Sequence, residues 1–334
     1  MTALSSVDTG ATRSSDFRGW FARAFPLLVA YIYASTLAAL PIDVFNDRDN
    51  YLTYAQYSDV IFIRYEAEGL LSILANEPVW LFLNTLLAQF LFPDGVVRVL
   101  IFVPAFVVAW QLLRHEPAHA IWIIAFLLAP QVVKNHIVHL RQGVAIAVFM
   151  TGYFAKPSWL RYSLMLIAPL IHSSFVFVLT IGAMVWAVGK LDWPPRIRMM
   201  ALIAAFVAIT AMVSFVAGSV GARQAFLYAF AELDITGVGF LFWLAIFGLF
   251  LTSKSEIIDQ NMFGLGNLAF YLVSYFVIPV SARIFESGLF LVLLAGLKLP
   301  TARKYVFVAV YILFGMIQYI TRLDLPWLGW GRLV

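Results

Sequence analysis

The sequence predicts an all-α fold, a polytopic transmembrane helix bundle, and three observations carry that prediction. Of 334 residues, 63% are hydrophobic and 12% charged, against roughly 45–50% and about 25% in a typical soluble domain. Aromatic residues make up 16% of the chain, including 30 Phe, which suits lipid-facing surfaces and headgroup anchoring by Trp and Tyr. Apolar stretches approaching the about 20 residues of a helical span recur along the chain. No single aqueous core buries this much apolar surface, so a water-soluble enzyme is excluded. Cysteine is absent, which removes disulfides, thiolate catalysis and cysteine-ligated metals. The net charge of +4 fits inner loops and lipid headgroups, and we expect no nucleic-acid partner.

Residues 1–24 are polar, rich in Ser and Thr, and carry Arg13, Arg18 and Arg23. They read as a cytoplasmic tail, disordered or lying on the membrane. A signal peptide is not expected, because the following apolar stretch is long and lacks a small-residue cleavage site. Residues 25–334 read as one transmembrane domain, whose first span, Phe25 to Val44, runs from inside to outside. Beyond it, Asp47, Arg48, Asp49, Asp59, Arg64, Glu66 and Glu68 are too many charges for a span. Pro78 to Phe92 is apolar but short, and Asn84 and Gln89 interrupt it. If it crossed, the basic RHEPAH segment at 114–119 and most later basic loops would fall outside. As an interfacial helix it leaves them inside. Residues 45–93 are therefore expected as an outer loop with interfacial helices.

The remaining spans are expected near 94–113, 118–134, 140–155, 159–172, 173–189, 198–217, 237–252, 262–280, 284–298 and 304–321. With the first, this makes about 11 spans, several close to the lower length limit. On this topology 13 of the 22 basic residues lie inside. Inner loops such as KPSWLR and KLDWPPRIR are basic and nearly free of acid, whereas outer segments mix both signs with His. The chain has no fixed-period repeat, Gly-rich nucleotide loop, metalloprotease helix or nucleophile elbow.

Ionisable groups at membrane depth are costly and normally face a cavity or a partner. Four outer clusters meet that description, each with a plain alternative. NDRDNY at 46–51 offers Asp49 and Tyr51, or is a solvated loop. Asn76-Glu77-Pro78 offers a carboxylate, or is ordinary helix initiation. In KNHIVHLRQG at 134–143, a helical reading puts Asn135 and His139 on one face. His136 and His139 have metal-ligand spacing, but no carboxylate completes a site, so no metal is expected. Arg141 opens an apolar span, where its fork of donors suits phosphate or snorkels to the interface. His172-Ser173-Ser174 separates two apolar stretches, and Arg283 with Glu286 repeats the pattern of charge between spans, or pairs internally. Together they favour an anionic, phosphate-bearing substrate at one membrane face.

These clusters resemble the EpsG family of bacterial polysaccharide polymerases, related in role to the Wzy O-antigen polymerases. The matching pieces are Asp49 and Tyr51, the Glu77-Pro78 pair, RQGVA at 141–145, IHSS at 171–174 and Arg283 in SARIF. The resemblance covers most of residues 45–300, and RQGVAIAVF followed about 30 residues later by IHSSF is its strongest part. It implies a GT-C-like glycosyltransferase in the bacterial inner membrane with its active face in the periplasm. The implied partners are undecaprenyl-pyrophosphate-linked oligosaccharides as donor and acceptor, the lipid bilayer and a chain-length regulator protein. The implied reaction moves the growing glycan from its lipid pyrophosphate to a hydroxyl of the next lipid-linked repeat unit.

For that chemistry Asp49 and Glu77 are the candidate bases, and residue type does not separate them. Arg141 and Arg283 stabilise the departing pyrophosphate, and His172 donates to a phosphate oxygen or assists the acceptor. Gln142, Tyr51, Arg64 and His139 are candidate hydrogen-bonding partners for sugar or phosphate. The prenyl tail is expected between spans or in a lateral apolar groove, and no cofactor or obligatory metal is expected. A glycan ligase would use the same residues. A flippase would need charges along a path through the bilayer, and an O-acyltransferase would place its His and Arg on the cytoplasmic side.

Overall fold

The computed structural model describes residues 9–220 and 237–332, with the backbone alone for 9–23 and 213–220. The expected tail at 1–8 and the outer Arg223 lie outside the described residues. Among the described residues the chain is 80% helical and has no strand.

Helix α1, Thr9–Ala38, packs along α5, Pro93–His115. It starts inside the expected polar tail, so helix rather than loose chain leads into the first apolar stretch. It also ends before Val44, the expected limit of the first span. The last α1 carbonyls, Ala38 and Leu40 just beyond it, accept hydrogen bonds from Arg98 of α5. Between them lie α2, Arg48–Ala67, kinked at Tyr57 (φ −132°, ψ 19°), α3, Leu70–Ala75, and α4, Pro78–Ala88. Residues 45–93, expected as an outer loop with helices, thus do contain helices. At 1.5 Å per residue, the 11 residues of α4 cover about 16 Å, half of a ~30 Å hydrocarbon layer.

Among the described residues, three helical segments are long and apolar enough to cross a membrane: Pro93–His115, Pro195–Met212 and Thr301–Ile320. The second belongs to α11, Pro195–Val220. A fourth crossing is available if Pro117–Leu127 and Pro130–Ile137, bent by 72°, form one broken span. The sequence suggested one continuous span at 118–134. Pro130 breaks it, because proline has no N–H and holds its predecessor Ala129 extended (φ −66°, ψ 142°). The two pieces are α6, Ala120–Leu127, and α7, Pro130–Ile137.

The other apolar helices are shorter. They are α8, Leu140–Phe154, α9, Ser158–Ile171, α10, Phe175–Val188, α12, Val238–Leu251, α14, Met262–Ser274, and α15, Ser281–Leu297. The small α13, Ser255–Gln260, precedes α14, and α16, Thr301–Ile320, follows α15. Helix α15 is the centre of the bundle, with every residue from Ile284 to Leu297 buried, as expected of a helix apolar on all sides. Gly264 lets α14 approach it closely, since a Cβ there would lie 2.7 Å from the Leu291 carbonyl oxygen.

Polar contacts gather at two ends. At one, Arg198 pairs with Asp259 at 2.8 Å, Arg303 donates to Ser253 Oγ at 2.7 Å, and His115 stacks on Phe154 with centroids 4.1 Å apart. These are the segments whose basic composition pointed inside. At the other end, the C-terminal segment returns to the stretch between α1 and α2. The Asn46 N–H donates to Trp330 O and the Arg332 N–H to Val44 O, both at 2.9 Å, around a lone Phe45–Gly331 bridge. Arg332 pairs with Asp49 at 2.7 Å, with side chains 37% and 78% exposed. A pair so exposed is worth under about 1 kcal/mol. Arg332→Ala should therefore leave the thermal unfolding midpoint in detergent nearly unchanged.

Candidate active site

Glu77 is the hub. Pro78 starts α4 at the first helical position, where its missing N–H costs nothing. Glu77 precedes it in the left-handed region (φ 58°, ψ 58°), a strained conformation for a non-glycine residue that must be held by its surroundings. The carboxylate makes no capping bond to its own helix, so helix initiation does not account for it. It reaches instead to two distant segments. Oε2 accepts a hydrogen bond from the Arg141 guanidinium at 2.6 Å. Oε1 lies 2.9 Å from His172 Nδ1 and accepts the Ser173 backbone N–H at 3.1 Å.

The side chain of Glu77 is only 8% exposed. Burial alone raises a carboxyl pKa, but here the His172 bond and the Arg141 charge prevail and hold it below its ordinary value. Glu77 is therefore an ionised, fully engaged carboxylate.

His172 ends α9 in extended conformation (φ −149°, ψ 118°), at the break before α10. With Nδ1 turned to Glu77, its Nε2 has no protein partner among the described residues. Arg141 stands in the first turn of α8, its guanidinium 5.6 Å over the Tyr54 ring. Tyr51 is buried beside it and its hydroxyl accepts the Leu140 N–H at 3.1 Å. Gln142 points away from this cluster. Its Nε2 donates to Arg283 O at 2.9 Å and Ser287 Oγ at 3.0 Å, tying α8 to α15.

The expected site residues divide accordingly. Glu77, Arg141, His172 and Tyr51 come together. Asp49 does not, because its exposed carboxylate pairs with Arg332. The structure thus separates two carboxylates that residue type alone left equivalent. Arg64 is a surface residue pairing with Glu68 one turn on, at 3.4 Å. Arg283 is exposed and, among the described residues, its guanidinium has no hydrogen bond or ion pair, leaving it free for an anion.

Residues 134–143 are not one helix, since α7 ends at Ile137 and His139 precedes α8. Asn135 and His139 therefore share no helical face. His136 is buried edge-on against Tyr33, with centroids 6.2 Å apart. Burial first, then the charges of Lys134 and Arg283, push His139 down to about 3, so it is a neutral imidazole. Glu286 pairs with Lys134 at 2.7 Å, not with Arg283.

Sequence reasoning missed Tyr54, the Ser173 N–H, the Ser174–Ser287 hydroxyl contact at 2.7 Å and Gly143. Only Gly143 carried a local signal, a glycine one turn into an apolar helix. A Cβ there would lie 2.5 Å from the Asn135 carbonyl oxygen, so α7 and α8 meet only over glycine.

An apolar groove of about 420 Å³ lies between α4, α5, α8 and α9. Leu83 and Leu87 of α4 and Val144, Ala147 and Val148 of α8 line it. Val144 is one turn beyond Arg141 on α8, so the groove and the charged cluster share that helix. Its single hydroxyl, on Thr151, is spent on the Ala147 carbonyl at 2.8 Å.

No protein-family model, curated protein or solved structure matches the chain. A carboxylate that fixes one imidazole nitrogen and leaves the other open is the arrangement of an oriented general base. A neighbouring guanidinium supplies charge-assisted donors for a phosphate oxygen. The adjoining groove offers only apolar surface. The combination fits a substrate with an acyl or prenyl chain, an anionic linkage and a hydroxylic reaction partner.

Proposed function

We propose that this chain is a membrane glycosyltransferase of the polysaccharide-polymerase type, as its resemblance to the EpsG and Wzy proteins implies. Its substrates are undecaprenyl-pyrophosphate-linked oligosaccharides, its fold is GT-C-like with about 11 crossings, and its active face is periplasmic in the bacterial inner membrane. One observation carries the reading: the Glu77–Arg141–His172 cluster is held by the ends of α4, α8 and α9, the same helices that, with α5, line an apolar groove.

In this reaction a hydroxyl oxygen of the acceptor glycan bonds to the anomeric carbon of the donor. The bond from that carbon to the pyrophosphate oxygen breaks, and the lipid pyrophosphate leaves with the electron pair. The hydroxyl proton passes to His172 Nε2, which Glu77 orients through Nδ1. Arg141 and Arg283 stabilise charge growing on the leaving pyrophosphate. Glu77 is ion-paired and below its ordinary pKa, which makes it a poor proton acceptor itself. It is a positioning residue, and His172 is the base. The prenyl chain lies in the groove.

Reconstitution with a synthetic lipid-pyrophosphate repeat unit tests this. A ladder of product lengths is expected, and its absence from well-folded protein overturns the proposal. Chain growth that persists in Arg141→Ala and Arg283→Ala variants removes the pyrophosphate assignment. Ala147→Phe narrows the groove away from the charged cluster. It should raise KM for the lipid-linked donor by about tenfold, equivalent to about 1.4 kcal/mol, with kcat little changed. Steady-state kinetics against donor concentration read that split.

A further inference from the structure

A second cavity, of about 170 Å³, opens between α7, α12, α14, α15 and α16, and none of the chemistry above uses it. The aromatic residues in its wall, Trp243, Tyr271 and Phe285, are packed away in the core. Its character is set by charge. Lys134, Glu286 and Arg322 line it. Lys134 donates to Glu286 at 2.7 Å, and the Glu286 side chain is only 9% exposed. The buried acid is thus engaged by the lysine, whose ammonium keeps further donors. Arg322, just past the end of α16, is exposed, and among the described residues its guanidinium has no hydrogen bond or ion pair. Two cations against one carboxylate leave the cavity with an uncompensated positive charge.

An apolar groove of about 210 Å³ adjoins this cavity. Pro130 lines both, and the next residue, Gln131, bonds Gln318 of α16 at 2.9 Å. The groove follows α16 from Tyr311 to Tyr319, against Ala125 and Leu128. Its two tyrosine hydroxyls offer a ligand nothing: Tyr319 donates to the Leu128 carbonyl at 2.8 Å, and Tyr311 is buried. Leu128 and Met316 on the groove are 56% and 53% exposed, and Leu313 and Ile320 of α16 are exposed as well. Helix α16 is long and apolar enough to cross a membrane. In a bilayer that it spans, the groove meets hydrocarbon, while Arg322, two residues beyond the helix, reaches headgroup level.

A cationic cavity joined to an apolar groove fits a lipid with an anionic head. The charge balance narrows the choice. A phosphodiester has the single negative charge that Arg322 and Lys134 leave unmatched after Glu286. A pyrophosphate brings more negative charge, which Glu286 repels. A choline head brings a cation of its own beside Arg322. We propose that the cavity and groove together bind one anionic bilayer phospholipid, with its phosphodiester on Arg322 and Lys134 and an acyl chain along α16. This site is separate from the groove between α4, α5, α8 and α9, and it does not depend on the glycosyltransferase reading.

The test is lipid retention. The full chain in non-ionic detergent receives equal amounts of phosphatidylglycerol and phosphatidylcholine, and native mass spectrometry reads what stays bound. The wild type should hold one phosphatidylglycerol in about tenfold preference to phosphatidylcholine. Arg322→Gln, at an exposed position, should unfold at the wild-type temperature yet lose about tenfold in that affinity. Ala125→Phe, which fills the groove, should lose a similar factor with Arg322 intact. Arg64→Gln removes an exposed arginine remote from the cavity lining and should change nothing. Soluble glycerol phosphate, which lacks the chains, should not displace the lipid at equal concentration. Equal retention of the two phospholipids overturns the proposal, as does a preference unaltered in Arg322→Gln or weakened as much in Arg64→Gln. Displacement by glycerol phosphate overturns the part assigned to the groove. Tighter Arg322-dependent binding of a lipid pyrophosphate than of phosphatidylglycerol overturns the choice of lipid.

Discussion

Glu77→Gln should lower chain-extension turnover by about 10²–10⁴-fold, the usual contribution of an oriented acid–base group. The substitution keeps the size of the side chain but withdraws its charge from both partners. Arg141 loses its 2.6 Å anionic partner, and His172 Nδ1 faces an amide in place of a carboxylate. The imidazole then loses the anion that fixes its tautomer and stabilises its protonated form. Breaking a buried ion pair costs about 3–5 kcal/mol. The Arg141 side chain is 36% exposed, so the stability loss here should fall below that range.

The same substitution isolates a pH effect. Glu77 titrates in the folded protein below its ordinary value of 4.5. Its stabilisation is complete above that ordinary value and is lost as pH falls through the lower folded value. The difference in unfolding midpoint between wild type and Glu77→Gln should therefore shrink as pH falls below the ordinary value of 4.5 and through the lower folded value. A difference that grows as pH falls through that range would contradict the ion-paired state of Glu77.

Gly143→Val should be the most damaging change that touches no charged group. Its Cβ would lie 2.5 Å from the Asn135 carbonyl oxygen and 3.3 Å from His136 Nδ1. The first contact is with backbone, which cannot swing aside. Overpacking of this kind costs about 1–3 kcal/mol. The strain falls next to Gln142, which ties α8 to α15, and two residues from Arg141, which holds Glu77. A shift of about 1 Å there is enough for roughly a 10²-fold loss of activity. Gly248→Ala is the contrast, because a Cβ on that α12 glycine meets nothing within 4 Å. It should leave activity intact and raise the unfolding midpoint slightly, since alanine favours a helix interior by about 1 kcal/mol over glycine. Thermal unfolding and chain extension measured on both variants check the pair.

Much of the helical architecture was legible because apolar stretches, prolines and charged breaks are local features. Pro78 marks the start of α4, and the polar break at 172–174 marks the turn between α9 and α10. The break at Pro130 was equally local, yet a hydropathy window passes over it because its flanks are apolar. The site was legible as a set of residue types but not as a set of partners. Glu77 meets Arg141 and His172 across 64 and 95 residues, and no sequence pattern encodes such separations. Asp49 and Arg64 looked equivalent to the clustered residues until their own partners, Arg332 and Glu68, were visible.

The bridge between Phe45 and Gly331 constrains the path of the whole chain. Two segments hydrogen-bonded to one another share one side of a bilayer. With that contact outside the hydrocarbon layer, a chain that spans a membrane crosses it an even number of times between residues 46 and 330. The Glu77 contacts impose the same parity on the stretches from 77 to 141 and from 141 to 172. Topology thus acquires a constraint from hydrogen bonds that is independent of hydropathy, and any assignment with an odd number of crossings in one of these intervals is excluded.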